Sequence, residues 1–351
     1  MTELPMPTSL DEVTADWLTA ALSQRYPGTV VTAATPGSRI RATGTKLRLM
    51  LDYNDAGHAH RLPPTMWFKS GLEEHSAHVR TSHARESLFY REIEPLGLLN
   101  APRGYYAATD AAGYSAQLFE DLLARNARFG AAARPVPVPI AAQTLAMLAR
   151  LHAHWWRAPE LEKLGPPGGS LATDGIVTRI MSDEAWAHGL QREGAQLPPE
   201  LQTGAAARAG MEKLWALDRE SDSLCMVHGD AHPGNMFFEQ DGTPGFLDYQ
   251  RLMQCDWAHD VNYFLIASCD ASDMATHERT LLEDYLLARE ALGVPVMDRE
   301  EAWLSYRRHT MYGLVWNVVP PAMQTEETCA VIASRFNAAA ARHDFARALD
   351  L

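Results

Sequence analysis

Three oxygen-bearing side chains define the chemistry open to this sequence. Asp230 and Asn235 stand five positions apart in His228-Gly-Asp-Ala-His-Pro-Gly-Asn235, and Asp248 follows thirteen further on in Gly245-Phe-Leu-Asp-Tyr-Gln250. Phosphoryl transfer from a nucleoside triphosphate needs one carboxylate to accept the proton of the attacking hydroxyl. It also needs two more oxygen ligands for the magnesium that neutralises the phosphates. Asp230 suits the first task, and Asn235 and Asp248 suit the second, since Mg2+ takes a few hard oxygen donors and keeps several waters. A different chemistry could use His228, Asp230 and His232 as ligands of a hydrolytic metal. That alternative leaves Asn235 and Asp248 without a task.

The residues around these groups must hold them in place. Leu224, Met226 and Val227 read as a short apolar strand, and Gly229, Pro233 and Gly234 punctuate the loop after it. Phe237 and Phe238 lead into Asp241-Gly242, a hairpin signal, and Gly245-Phe246-Leu247 returns as a second strand that ends at Asp248. Such a hairpin brings Asn235 beside Asp248, so that both can face one ion.

On Val227-His-Gly-Asp-Ala-His-Pro-Gly-Asn235 and Phe246-Leu-Asp-Tyr-Gln250, and along most of its length, the sequence resembles the aminoglycoside phosphotransferase and choline kinase-like small-molecule kinases, relatives of protein kinases. The Asp248-Tyr249-Gln250 ending looks most like the ecdysteroid kinase-like branch. The resemblance implies an α+β, protein kinase-like bilobal fold. A small β-rich N-terminal lobe over residues 1–120 would bind the nucleotide, and a larger, mainly helical lobe over 121–351 would carry catalysis and the acceptor. It also implies an ATP-dependent phosphotransferase acting on a small-molecule hydroxyl, with ATP and Mg2+ as cofactors. Asp230 is then the catalytic base, Asn235 a magnesium ligand and Asp248 the main magnesium ligand. A catalytically inactive nucleotide-binding scaffold is a third reading, but such proteins normally lose a key residue and this chain retains them all.

A kinase of this kind needs a phosphate-covering loop, a strand lysine and a helix glutamate upstream. Residues 42–53 read as a Gly-containing turn feeding a strand with Leu47, Leu49 and Leu51 on one face, and Thr43, Gly44 and Thr45 are candidate backbone donors to phosphate. An ordinary hairpin turn would look the same. In Thr65-Met-Trp-Phe-Lys-Ser70, alternation sets Met66 and Phe68 on one face and Trp67 and Lys69 on the other. Lys69 would reach the nucleotide phosphates, or else extend from a strand end into water. By the family pattern of Glu followed closely by Phe-Tyr, Glu86 is its partner, with Glu92 the competitor. Resemblance also makes the main chain of Phe119, Glu120 and Asp121 the hinge that hydrogen-bonds adenine, although an acidic pair after a strand equally suits a helix start.

Composition agrees with a folded enzyme. Hydrophobic residues make up 46% and charged residues 21%, which excludes a disordered chain. A net charge of −13 argues against nucleic acid or an anionic membrane as partner. No window has the uninterrupted apolar length of a membrane helix. Cys225, Cys255, Cys269 and Cys329 show no paired metal spacing and suit buried free thiols. Pro5, Pro7, Asp11 and Glu12 stand where a signal peptide would need basic and then apolar runs, so the expected location is the cytoplasm.

Elsewhere, Ser9 and Glu12 suggest a capping box for a first helix with Leu10, Val13 and Trp17 as its stripe. Residues 134–140 read as an extended Pro-rich connector. Leu145, Leu148, His152 and Trp155 then recur at helical spacing, with His152 and His154 on different faces and unfit to share an ion. Resemblance gives Asp260 a structural part, capping the helix that starts there and bracing the catalytic loop. Tyr306, His309, Tyr312, Gly313 and Trp316 form a C-terminal aromatic stripe. It either lines the acceptor pocket, where it would suit a hydrophobic alcohol such as a sterol or a hydroxyacyl group, or belongs to the core.

Overall fold

Period-two alternation builds the first part of the chain. In the computed structural model, which describes residues 4–41, 43–168, 180–192, 197–321 and 323–351, five antiparallel strands form one sheet; Ala42, at the start of the expected phosphate turn, lies outside these residues. The strands are β1 (Val31–Arg41), β2 (Thr45–Tyr53), β3 (Thr65–Ser70), β4 (Gly104–Thr109) and β5 (Ser115–Glu120), in the order β1-β2-β3-β5-β4. Leu47, Leu49, Leu51, Met66, Phe68 and Leu118 share one buried cluster with Trp17, Leu18 and Leu22 of helix α1 (Ala15–Ser23). The opposite face of β2 and β3 therefore carries Lys46, Arg48, Trp67 and Lys69, and the register sets Lys46 directly across from Lys69.

Helix α1 starts later than the capping-box expectation. Its N-cap is Thr14, whose hydroxyl accepts the Trp17 N–H at 3.2 Å, a bond worth about 1 kcal/mol. Ser9 caps nothing with its side chain, and the Glu12 carboxylate turns back to the Thr8 N–H at 2.7 Å. The Trp17 indole donates to the Pro5 carbonyl at 2.8 Å and so ties the preceding segment across the start of the helix.

The chain divides into two compact units, Met1–Arg128 with Leu247–Gln250, and Phe129–Phe246 with Arg251–Leu351. The first thus runs past residue 120 and includes Asp248. Asp121 explains the extension: its buried carboxylate accepts from Arg48 Nε at 2.7 Å and from Trp67 Nε1 at 3.2 Å, fastening the chain back onto the sheet. After β3 the first unit also carries helix α2 (Arg80–Leu88), which continues into a single π-helical turn over Phe89–Ile93.

The second unit is mainly helical. Helix α3 (Val138–His154) begins inside the segment expected to be an extended connector, with Pro137 as its N-cap. A proline in the first helical turn lacks only an N–H that would have no partner there, so Pro139 is compatible with helix. Helix α4 (Gly204–Glu220) leads to strand β6 (Leu224–Val227), which pairs antiparallel with β9 (Met253–Asp256). Between them β7 (Met236–Phe238) and β8 (Pro244–Phe246) form the expected hairpin, with Met236 opposite Phe246. Helix α5 (Ala258–Ser268) is buried at every residue, and α6 (Ala271–Ala291) packs on α3. The aromatic stripe is not one helix: α7 (Arg299–Arg308) ends before His309, and α8 (Thr310–Gly313) and a 3-10 turn over Leu314–Asn317 follow, then α9 (Glu326–Arg342). A β-rich first unit and a helical second one make the chain α+β. All four cysteines are buried and free, and no described helix is long and apolar enough to cross a membrane.

Candidate active site

In the first unit Lys69 is a buried cation shared by two carboxylates. Its Nζ lies 2.6 Å from Glu86 and 3.0 Å from Asp248 Oδ1, and it is 1% exposed. Glu92 instead pairs with its neighbour Arg91 at 2.9 Å on the surface. The other Asp248 oxygen meets Lys46 at 3.3 Å. Burial works against a charged Lys69, but Asp248 and Glu86 outweigh it and raise the ammonium above its ordinary value. Burial likewise opposes ionisation of Asp248, and Lys69 and Lys46 overcome it, holding this carboxyl far below the usual range. Burial raises Glu86. Asp248 has φ +66°, the left-handed region that Asp tolerates better than most residues. Behind it the Tyr249 ring stacks on Phe89 with centroids 3.3 Å apart, which fixes the segment to the turn after α2.

The expected phosphate turn is the β1–β2 connection. A side chain on Gly44 would come within 2.7 Å of His83 and 2.9 Å of the Ser70 carbonyl, so only glycine fits. The Thr43 carbonyl accepts from Ser76 Oγ at 3.0 Å. Thr45 is buried at the start of β2, and its hydroxyl is committed to Glu73 at 2.5 Å rather than to a ligand. At the expected hinge the Phe119 ring stacks on Tyr90, and the Asp121 carboxylate caps the turn at Leu123 as well as binding Arg48 and Trp67. The Glu120 carboxylate takes Arg125, and its N–H already donates to the Arg103 carbonyl, so that N–H is not free for an adenine edge. Any adenine contact falls to the neighbouring main-chain groups.

In the second unit the loop after β6 carries Asp230. Gly229, at φ +80°, passes so close to the Arg251 main chain that a Cβ would lie 2.2 Å from its carbonyl oxygen. Asp230 Oδ2 accepts from Asn235 Nδ2 at 2.9 Å, which leaves the Asn235 amide oxygen for a cation. Asp230 Oδ1 faces the Tyr263 hydroxyl at 3.4 Å, and that hydroxyl accepts from Trp316 Nε1 at 2.8 Å. From α5, Asp260 braces the loop: its carboxylate accepts the His228 N–H at 2.6 Å and the Gly229 N–H at 2.9 Å. Burial would raise this carboxyl, but His152 Nε2, 3.2 Å away, and the neighbouring histidines keep it below its ordinary value. Asp260 does not cap α5. The N-cap is Trp257, and Asp256 just before it accepts from the Ala258 N–H at 2.9 Å, because Asp260 lies inside the first turn with its oxygens turned to the loop.

A cavity of about 110 Å³ opens on Asp230 within this unit, lined also by His232, Arg251, Tyr263, Tyr312, Val315 and Trp316. The aromatic stripe therefore divides. Tyr312 and Trp316 face the cavity, while Tyr306 donates to Glu278 at 2.7 Å and His309 meets Asp218 at 3.2 Å in the interior.

The hydrolytic set is not assembled as metal ligands. His228 Nδ1 accepts the Asp230 N–H at 3.2 Å and His232 Nδ1 accepts the Gly234 N–H at 3.1 Å, so both rings are spent on loop geometry. Among the described residues, the three groups whose ligand atoms converge are Asp218, Cys255 and His309, none of which belongs to that set. Sequence reasoning missed Lys46, Tyr263 and Arg251. Strand parity carried a signal for Lys46, because Leu47, Leu49 and Leu51 facing the core turn Lys46 to the side of Lys69. Nothing local marks the other two.

Residues 72–303 match the family model described as phosphotransferase enzyme family. In sequence the chain is similar to the homoserine kinase of Rhizobium meliloti (strain 1021), 26% identical over 217 aligned positions, with 53% of this chain and 64% of that kinase covered. Across the first three such kinases the chain spans 60–64% of the length of the curated relatives it matches. Among solved structures it is similar to a choline/ethanolamine kinase family protein from Mesorhizobium loti, with 12% identity, coverage of 95% of this chain and 97% of that one, and a TM-score of 0.47. An ethanolamine kinase from Plasmodium vivax gives 10% identity, coverage of 87% and 81%, and a TM-score of 0.49.

Proposed function

The chain belongs to the phosphotransferase enzyme family, and from that premise we propose that it moves the terminal phosphate of ATP to a hydroxyl of a small molecule. Asp230 is the base that takes the hydroxyl proton. Asp248 and the Asn235 amide oxygen are the ligands of magnesium, an all-oxygen donor set of the kind that ion prefers. When bound, Mg2+ would neutralise the phosphates during transfer. Lys69, held by Glu86, contacts the phosphates, and Lys46 adds a second cation beside it. Thr43 and Gly44 cover the phosphates through their main chain. The first unit is the nucleotide-binding half, and the second supplies the base and the acceptor cavity.

The observation that carries this reading is the buried Lys69 shared by Glu86 and Asp248. A lysine desolvated between two carboxylates adds little to stability compared with a well-packed apolar residue, whereas it presets a cation and an oxygen ligand for a polyphosphate. The Asp248-Tyr249-Gln250 ending ties the chain in motif to the ecdysteroid kinase-like branch. The cavity of about 110 Å³ favours a compact acceptor over a sterol. Relatives named as homoserine kinases make homoserine the first acceptor to assay. Four buried free thiols suit a reducing compartment and a net charge of −13 suits no nucleic-acid partner, so we assign the enzyme to the cytoplasm.

The test is ADP release from ATP with a panel of small alcohols that includes homoserine and choline, with and without magnesium. Acceptor-dependent, magnesium-dependent ADP release is expected. Acceptor hydrolysis that needs zinc and ignores ATP would return the chain to the hydrolase reading.

A further inference from the structure

We propose that the acceptor is a compact alcohol bearing a carboxylate, and that Arg251 is the residue that recognises it. The inference rests on the reading of Asp230 as the base and names the substrate class of that same cavity.

Arg251 and Asp230 both line the cavity, and they are its only guanidinium and its only carboxylate among the described residues. The Arg251 guanidinium makes no hydrogen bond or ion pair among the described residues. Other arginines of the same unit are engaged: Arg192 donates to the Val319 carbonyl at 2.5 Å, Arg335 to the Ala267 carbonyl at 2.6 Å, and Arg299 pairs with Glu283 and Glu290. A cation of this kind at the wall of a small cavity, with no partner among the described residues, suits a planar anion, which a guanidinium grips through two parallel N–H groups. Its place is fixed by the main chain, because the Arg251 carbonyl packs against Gly229, one residue from Asp230. Base and cation are thus set by neighbouring backbone.

The remaining wall is apolar, with Tyr312, Val315 and Trp316. Aromatic faces alone would also suit a quaternary ammonium. The Arg251 charge opposes that ligand, and with Asp230 reserved for the hydroxyl proton the described residues of the cavity offer no further carboxylate to neutralise a cation. A short aliphatic chain against the aromatic wall, with the hydroxyl at Asp230 and the carboxylate at Arg251, satisfies both of these groups.

Four-carbon alcohols that differ only in charge separate the possibilities: 4-hydroxybutyrate, 1-butanol and 4-amino-1-butanol, each assayed for phosphorylation by Mg-ATP. The expected kcat/KM for 4-hydroxybutyrate exceeds that for 1-butanol by at least about tenfold, the worth of one charge-assisted bidentate contact, with 4-amino-1-butanol the poorest. In Arg251→Glu the order of the acid and the amine should invert. Arg251→Gln, a milder change, should abolish the preference of acid over neutral alcohol through KM rather than kcat. Equal use of all three, or preference for the amine, would overturn the carboxylate proposal and leave the kinase reading intact. If none is phosphorylated although Mg-ATP binds, the transfer reading fails, and calorimetry decides the present proposal alone. Binding of 4-hydroxybutyrate that is lost in Arg251→Gln upholds it, and binding that survives overturns it.

Discussion

The first unit holds its functional groups by charge, whereas the second holds them by hydrogen bonds. Lys69, Glu86, Asp248 and Lys46 are each other's partners, so every member is both a proposed functional group and part of the support. Around Asp230 the tasks are separated: Asn235 and Tyr263 orient the carboxylate, while Asp260, itself oriented by His152, secures the backbone that carries it. A charge network in a low-dielectric site is strong but depends on all its members, because removal of one leaves another buried and unpaired. A hydrogen-bonded support is graded, since each neutral bond contributes only about 1 kcal/mol. Substitutions in the first unit should therefore fail abruptly and couple strongly, and those in the second should fail by degrees unless they touch Asp230 itself.

The largest expected effect is at Asp248. Asp248→Ala removes the proposed magnesium carboxylate and leaves Lys69 and Lys46 facing one anion fewer, so transfer should fall by at least about a thousandfold and Mg-ATP binding should weaken. Isothermal titration with Mg-ATP alongside steady-state turnover reads both, and wild-type nucleotide affinity in the variant would remove Asp248 from the metal.

Next comes coupling. Lys69→Met and Glu86→Gln should each lower turnover by about a hundredfold, and the double variant should be far less impaired than the product of the singles, since the two act as one unit. A double-mutant cycle on kcat/KM measures this, and additive effects would break the charge-network half of the comparison.

A smaller loss is expected where support is graded. Tyr263→Phe removes the hydroxyl that lies between Trp316 and Asp230, so kcat should drop by about five- to tenfold with little change in nucleotide binding. A thousandfold drop would make Tyr263 part of the chemistry.

The least effect on activity, but a defined one on stability, belongs to His309. Burial alone would lower its pKa, but Asp218, 3.2 Å away, outweighs this and raises it to about 9. A histidine raised in the folded state stabilises fully below its unfolded pKa and loses that contribution as pH climbs through the folded value. About 3 kcal/mol should therefore disappear between roughly pH 6.5 and pH 9. Urea unfolding at the two ends of that window should show the loss in the wild type and not in His309→Gln; equal slopes in both would refute the pair.

What could be read from residue order follows the same division. Asp230 and Asn235 were legible because one short loop with its glycines holds both, and Lys69 because a lysine in an apolar strand asks for a partner. Local reasoning went astray where long-range packing chose between similar local options. Thr14 took the cap expected of Ser9 because Trp17 ties back to Pro5, helix α3 took in Val138 and Pro139, and Asp256 rather than Asp260 accepts the first N–H of α5. Lys46 depends on strand register, and Arg251 on walls contributed by residues 60 and more positions away, which no spacing within the motif encodes.

The central claim is that phosphate travels from ATP to an alcohol with Asp230 as the base. Its most direct measurement follows γ-labelled phosphate from ATP into a phosphate ester of the acceptor, in the wild type and in Asp230→Asn. Label should appear in the ester with the wild type and fall by about two or more orders of magnitude in the variant, while ATP affinity is retained. Near-normal transfer in Asp230→Asn, or label found only as free phosphate in the wild type, would contradict the account.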